Sequence, residues 1–278
     1  MRIHHLNCGS LRRIPLLGSG AQGELAAVCH CLLVETDTDG LILVDTGLGT
    51  ADVRDAERSL GPDWVAYARP ALDPGESALH QIVRLGYAPQ DVRHIVLTHL
   101  HRDHTGGLPD FPHARVHVHP DELRAATDRT APHHRHTLGG FMHAHRAHQP
   151  LLTPAVCGDG GAQWFGFGGV ARPRGLASEV LLVPLPGHSA GHAGVAVRDG
   201  GSGRWLLHAG DAYMYHGEID ATPPVPHPAF VPVQQGAQTD GEAATTALDR
   251  LRTLRRDHAD EVSVFSAHDP WEFAALAG

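Results

Sequence analysis

The sequence contains no lysine: all 22 of its non-histidine basic residues are arginine. That absence excludes chemistry through a lysine Schiff base and through the lysine of a phosphate-binding loop. Cysteine is scarce. Cys8, Cys29, Cys31 and Cys157 form no CxxC pair and no regular framework, so they read as buried, reduced thiols. No apolar run approaches the ~20 residues that span a bilayer, and Met1 to Cys8 lacks the apolar core of a signal peptide. A cytoplasmic protein with no membrane partner is the expectation. Nor is there a basic stripe: the formal charge is -9, which argues against a nucleic-acid partner.

What is present is ordinary in bulk and unusual in one residue type. With 42% hydrophobic and 19% charged residues, the 278-residue chain has ample core for one large domain. Histidine, however, occurs 24 times. Its most informative cluster is His99, His101, Asp103 and His104, directly after the apolar run Ile95-Val96-Leu97. Imidazole and carboxylate are good ligands for a divalent cation, and a strand end holds them rigidly. Four ligands so close do not fit comfortably around one ion that keeps an open position. The natural split places His99 and His101 on one metal and Asp103 and His104 on a second, a two-metal hydrolytic centre. Taken alone, the cluster is also compatible with a solvated loop in a histidine-rich chain.

Three further segments weigh against that blander reading. Leu185-Pro186-Gly187-His188-Ser189-Ala190-Gly191-His192 places imidazoles on a glycine-flanked turn after an apolar strand. Trp205 to Asp211 delivers a carboxylate by the same device, and Val264 to Asp269 delivers His268. Val44-Asp45-Thr46-Gly47 ends another strand on a carboxylate. The small residue before each ligand lets the backbone approach an ion.

Strand-like runs are expected at 28–36, 41–45, 92–97, 114–119, 180–185, 194–198, 205–208 and 262–266. Helices are expected at 77–85, capped by Ser77 and closed by Gly86, and at 242–258, with Ala247, Leu248, Leu251 and Leu254 on one face. The pattern suggests one domain over 1–278 built from two similar halves meeting near 175–180, sheets inside and helices outside. Residues 127–178 form the least regular segment.

Together these residues identify a resemblance to the metallo-β-lactamase fold superfamily over roughly residues 28–270. It rests on HxHxDH at His99, His101, Asp103 and His104, with His188 in PGHSAGH, Asp211 in AGDA, His268 in SAHD and Asp45 in LVDTG. The resemblance implies an α+β αββα sandwich with metals at one edge between the sheets. It also implies that His99, His101 and His188 hold one ion, that Asp103, His104 and His268 hold the other, and that Asp211 bridges both. Asp45 would order the histidine loop, and His192 would be a structural hydrogen-bonder. The cofactors expected are two divalent ions, zinc foremost, with iron, manganese or cobalt also suited.

The branch most similar is that of the N-acyl-homoserine lactonases and related esterases. His101 stands where redox di-iron relatives carry Glu, and a bridging Asp211 separates the chain from true β-lactamases of this fold. The function implied is hydrolysis of a small-molecule carboxylic ester, foremost a lactone, by a hydroxide shared between two metals. Asp103 is a candidate proton acceptor. One departure stands out: the lactonases place a catalytic tyrosine three residues after the bridging Asp, where this chain has Met214. Tyr213 and Tyr215 flank it and are candidates to supply the phenol. A glyoxalase II-like thioesterase, a phosphoester hydrolase and a non-catalytic metal-binding scaffold are the competing readings.

The remaining histidines have plainer readings. His208 is expected to be a satisfied core or pocket-wall group. His117 and His119 alternate on a strand away from the motif and are expected to be exposed. His133, His134, His136, His143, His145 and His148 read as a solvated loop, a pocket rim or a weak metal-binding tract. Trp164-Phe165-Gly166-Phe167 is expected to wall an apolar pocket.

Overall fold

A computed structural model describes residues 1–17, 22–127, 152–157 and 163–278. Among these residues twelve strands form two six-stranded sheets. The first runs in the order β1 (Arg2–Pro15), β2 (Glu24–Glu35), β3 (Leu41–Val44), β4 (Val92–Val96), β5 (Arg115–Val118), β6 (Leu152–Pro154). β1 to β3 are antiparallel neighbours, whereas β3 to β6 run parallel. The second sheet holds β7 (Val156–Cys157), β8 (Ala171–Arg172), β9 (Val180–Pro184), β10 (Ala193–Arg198), β11 (Trp205–His208) and β12 (Val262–Phe265). Its strands are antiparallel except for the β11–β12 pair.

Period-2 alternation sets the layers, because successive strand side chains point to opposite faces. Leu32, Val34, Ile42, Val44 and Val96 face inward and pack on Leu182, Val195, Val197 and Phe265 of the second sheet. The intervening residues face outward. Leu33, Leu43 and Ile95 lie under Ala78 and Ile82 of helix Ala78–Arg84. Val183 and Leu207 lie under Ala247, Leu251 and Leu254 of helix Gly241–Asp257. Three apolar layers result, which is the αββα sandwich. Burial of each such aliphatic side chain contributes about 1.5–3 kcal/mol against exposure, an upper figure because unfolded chains already bury some surface.

The helix caps follow the local chemistry. Ser77 accepts from the His80 amide, and Asp240 accepts from the Glu242 and Ala243 amides. Strand β1 is an element that the residue pattern does not announce. Its sequence lacks clean alternation, and its pairing with β2 shifts register between Asn7 and Ser10 and again between Ser10 and Arg13. The chain crosses from the first sheet to the second between β6 and β7, at Ala155, upstream of the 175–180 boundary expected. Most of the irregular 127–178 segment, including the tract His133 to His148, lies outside the described residues.

Candidate metal centre

Four strands of the two sheets end on the same edge, and each hands a side chain to one cluster. β4 leads into His99–His104, β9 into His188, β11 into Asp211 and β12 into His268. The structure brings all seven expected ligands together. Ligand atoms within 4.8 Å of one another define three sets: His99, His101 and His188; His99, His104 and Asp211; and Asp103, His104 and His268. Asp211 lies between the outer two. Its Oδ1 is 3.2 Å from His104 Nε2, and its Oδ2 is 3.4 Å from His188 Nε2 and 3.2 Å from His268 Nε2.

The ring not facing the cluster is anchored in most cases. His104 Nδ1 lies 2.8 Å from Asp45 Oδ2, and His268 Nδ1 donates to the Val28 carbonyl at 2.8 Å. Such outer partners fix the tautomer and aim the other nitrogen. Asp45 also accepts the Thr98 amide and the Thr98 hydroxyl, each at 2.8 Å. These contacts hold its backbone at φ 53, a left-handed conformation that costs a non-glycine residue energy and marks a functional constraint. His192 donates through Nδ1 to the Leu185 carbonyl at 2.8 Å and accepts the Asp211 amide on Nε2 at 3.0 Å. It therefore positions Asp211. Gly210 is required beside it, because a Cβ there would meet His192 Nε2 at 2.4 Å.

Glu122, whose role no motif announced, ties two ligand loops together. Its buried carboxylate accepts the Leu100 amide at 3.0 Å, the Ser189 hydroxyl at 2.7 Å and the Gly191 amide at 3.1 Å. One side chain thus fixes the loop that carries His99 and His101 against the turn that carries His188. The only signal in the sequence is an acidic residue in the first turn of a helix, which also serves as an ordinary helix start.

The donor set fits two cations. His99 Nε2, His104 Nε2 and Asp211 Oδ1 are buried polar atoms with no hydrogen-bond partner, and each faces the cluster. Unpaired buried polar atoms are costly, so their convergence calls for a ligand. Burial pushes His99 and His188 well below the ordinary histidine pKa, leaving both neutral, the form that binds a metal. Burial also opposes a charge on His104, but the Asp211 and Asp45 carboxylates outweigh it and hold the ring well above its usual value. A cation held beside Asp211 would take the place of that proton.

The cluster floors a cavity of about 730 Å3. Leu11, Ala27, Met214, Phe230 and Val233 form an apolar wall, and Trp64, Tyr67, Arg12 and Arg102 form another. Met214 faces this space, but neither flanking tyrosine lines it. Tyr213 is fully buried and donates its hydroxyl to the Glu272 carboxylate at 2.9 Å. Tyr215 packs on His216, His227 and Trp271. Tyr215 packs against the same apolar cluster as Met214 and Phe230 without reaching the cavity. Trp164 and Phe167 do not line the cavity either; they pack into the layer outside the second sheet, beside Trp205 and Ile219. His208 is buried, with Nε2 2.6 Å from the His30 carbonyl. His117 and His119 are buried rather than exposed, because β5 is covered on both faces.

The layered fold and the converging histidines and aspartates define a metallo-hydrolase. The model of the metallo-beta-lactamase superfamily matches residues 26–266, and the chain belongs to that superfamily. A probable metallo-hydrolase of Mycobacterium tuberculosis is 40% identical over 275 residues, covering 97% of this chain and 81% of the relative. An N-acyl homoserine lactonase of Bacillus thuringiensis is 25% identical over 239 residues, covering 86% and 80%. Among solved structures, an N-acyl homoserine lactone hydrolase with N-hexanoyl-L-homoserine at its catalytic metal centre shares the fold. Its TM-score is 0.66 at 22% identity, and the match covers 98% of this chain and 95% of that one.

Proposed function

We propose that this chain is a dinuclear metallohydrolase that cleaves a carboxylic ester, foremost a lactone. The observation that carries the reading is Asp211, a single buried carboxylate within 3.4 Å of three ligand imidazoles drawn from both sides of the cluster. His99, His101 and His188 would hold one ion, and Asp103, His104 and His268 the other, with Asp211 shared. Two such ions, zinc foremost, supply Lewis acidity and lower the pKa of bound water towards ~7.

The protein's own groups do the rest. Asp103 is the more exposed of the two ligand carboxylates, and its Oδ2 is 3.7 Å from His268 Nε2. It is the acceptor for the proton released when water adds to the ester carbonyl. The apolar wall of Leu11, Met214 and Phe230 binds the hydrocarbon part of the substrate and keeps bulk water from the reacting bond.

The test is a panel of homoserine lactones, aryl esters, thioesters and phosphodiesters with protein reconstituted in zinc, manganese or iron. Lactone or ester turnover that is lost on chelation and restored by two equivalents of metal is the expected result. Full metal loading with no turnover of any ester would overturn the reading.

A further inference from the structure

Two guanidinium groups line the cavity over the cluster, and Asp103 and Asp52 act on Arg102 only from beyond ion-pair distance. Arg12 and Arg102 both line it, and neither forms an ion pair among the described residues. Apart from Asp103 and Asp211, which face the ligand histidines, the lining contains no acidic residue among the described residues. This is a local exception in a chain whose formal charge is -9.

Both heads are held rather than loose. The Arg12 guanidinium sits 4.3 Å over the Tyr67 ring and donates to the Tyr67 carbonyl. Arg102 lies 5.9 Å from the Trp64 ring centre and donates to the Leu60 carbonyl. Helix Pro62–Ala68, which supplies both aromatic rings, thus presents two braced cations along one wall. A guanidinium has five donors, and each of these uses one of them on a backbone carbonyl, so donors remain for a ligand. A planar, braced guanidinium suits a carboxylate better than it suits a neutral chain.

We infer that the substrate is an ester or lactone carrying a carboxylate on its non-reacting part, and that Arg12 and Arg102 receive that carboxylate while the ester carbonyl lies at the cluster. The inference rests on the ester-hydrolase reading and names the substrate class for the same site. It separates this chain from enzymes acting on uncharged acyl lactones, for which two arginines without a direct ion pair in the cavity would gain nothing.

The experiment compares glutarate with pentanoate, and a glutarate mono-aryl ester with the pentanoate aryl ester, on the metal-replete protein. Pentanoate offers one carboxylate for the metals; glutarate adds a second for the arginines. Glutarate should bind about tenfold or more tightly by calorimetry, a gap that shrinks in Arg12→Gln, is partly kept in Arg12→Lys and falls with ionic strength. The kcat/KM ratio of charged to uncharged ester should fall in parallel, and Arg102→Gln is the independent second variant. Equal binding of the two acids, or a glutarate advantage that survives both Gln variants, would overturn the inference. A glutarate advantage sensitive to Arg12 with no ester turnover would leave the anion site standing and count against the ester-hydrolase reading alone.

Discussion

Asp45 Oδ2 lies 2.8 Å from His104 Nδ1, and both side chains are fully enclosed. The contact turns His104 Nε2 towards Asp211 and makes the imidazole a more basic ligand.

Asp45→Asn keeps the volume but leaves one of three donors facing an amide NH2. It should weaken metal binding by about 10–100-fold. Titration against a coloured chelator measures this, and an affinity equal to wild type would detach His104 from the metal centre.

Glu122→Gln should act on two loops at once. One of the Leu100 amide, the Ser189 hydroxyl and the Gly191 amide loses its acceptor, at a cost of about 1–3 kcal/mol. Urea unfolding reads that loss. If His99, His101 and His188 hold one ion as proposed, metal analysis should show that ion depleted before the other, since those side chains ride on the two loops. Even depletion of both ions would mean that Glu122 supports the fold only.

One buried and one half-buried histidine, His117 and His5, make stability depend on acid. Burial, reinforced by His94, lowers His117 to about 3, and burial, reinforced by His208, lowers His5 to about 4. Unfolded histidine titrates near 6.5. Between those values the unfolded chain binds more protons, so stability is complete above about pH 6.5 and is lost as pH falls towards 4 and then 3. His117→Gln should therefore cost more stability at about pH 7.5 than at about pH 5. A cost independent of pH, read from urea midpoints, would show that His117 titrates in the native state as it does in the unfolded chain.

Tyr213→Phe removes the hydroxyl bonded to Glu272 and should cost about 1–3 kcal/mol of stability. Burial holds Glu272 at about 8, so the pair is a hydrogen bond to a carboxyl rather than a charged site. Turnover per bound metal should stay at the wild-type value. A fall of tenfold or more, with normal metal content, would return Tyr213 to the chemistry.

Much of this molecule was legible in its residues, and the reasons are specific. Strands β3, β4, β9 and β12 are short apolar runs closed by Gly or by a ligand, so pattern and punctuation agree. The convergence of the seven candidate ligands was legible because metal chemistry demands particular side chains, and those stand at strand ends. Strand β1 was not, because its inward residues are interrupted by two register shifts. His117 and His119 were misjudged because a polar residue's burial depends on what covers the strand. Here His117 Nε2 meets His94 Nδ1 at 2.9 Å from the neighbouring β4, and His119 Nε2 reaches the Gly169 carbonyl at 3.4 Å. Glu122 was invisible because its partners are backbone amides and a serine distant in the chain, which leave no motif.

The carbonyl of Val28 receives His268, and the carbonyl of His30 receives His208, while the His30 amide donates to Ala267 at 2.9 Å. Strand β2 of one sheet is thereby stitched to the terminal ligand loop of the other. Any opening that frees His268 must also unzip this seam. Deuterium uptake at the residue 30 amide should consequently slow when metal is added, reporting occupancy from a position that touches no ion.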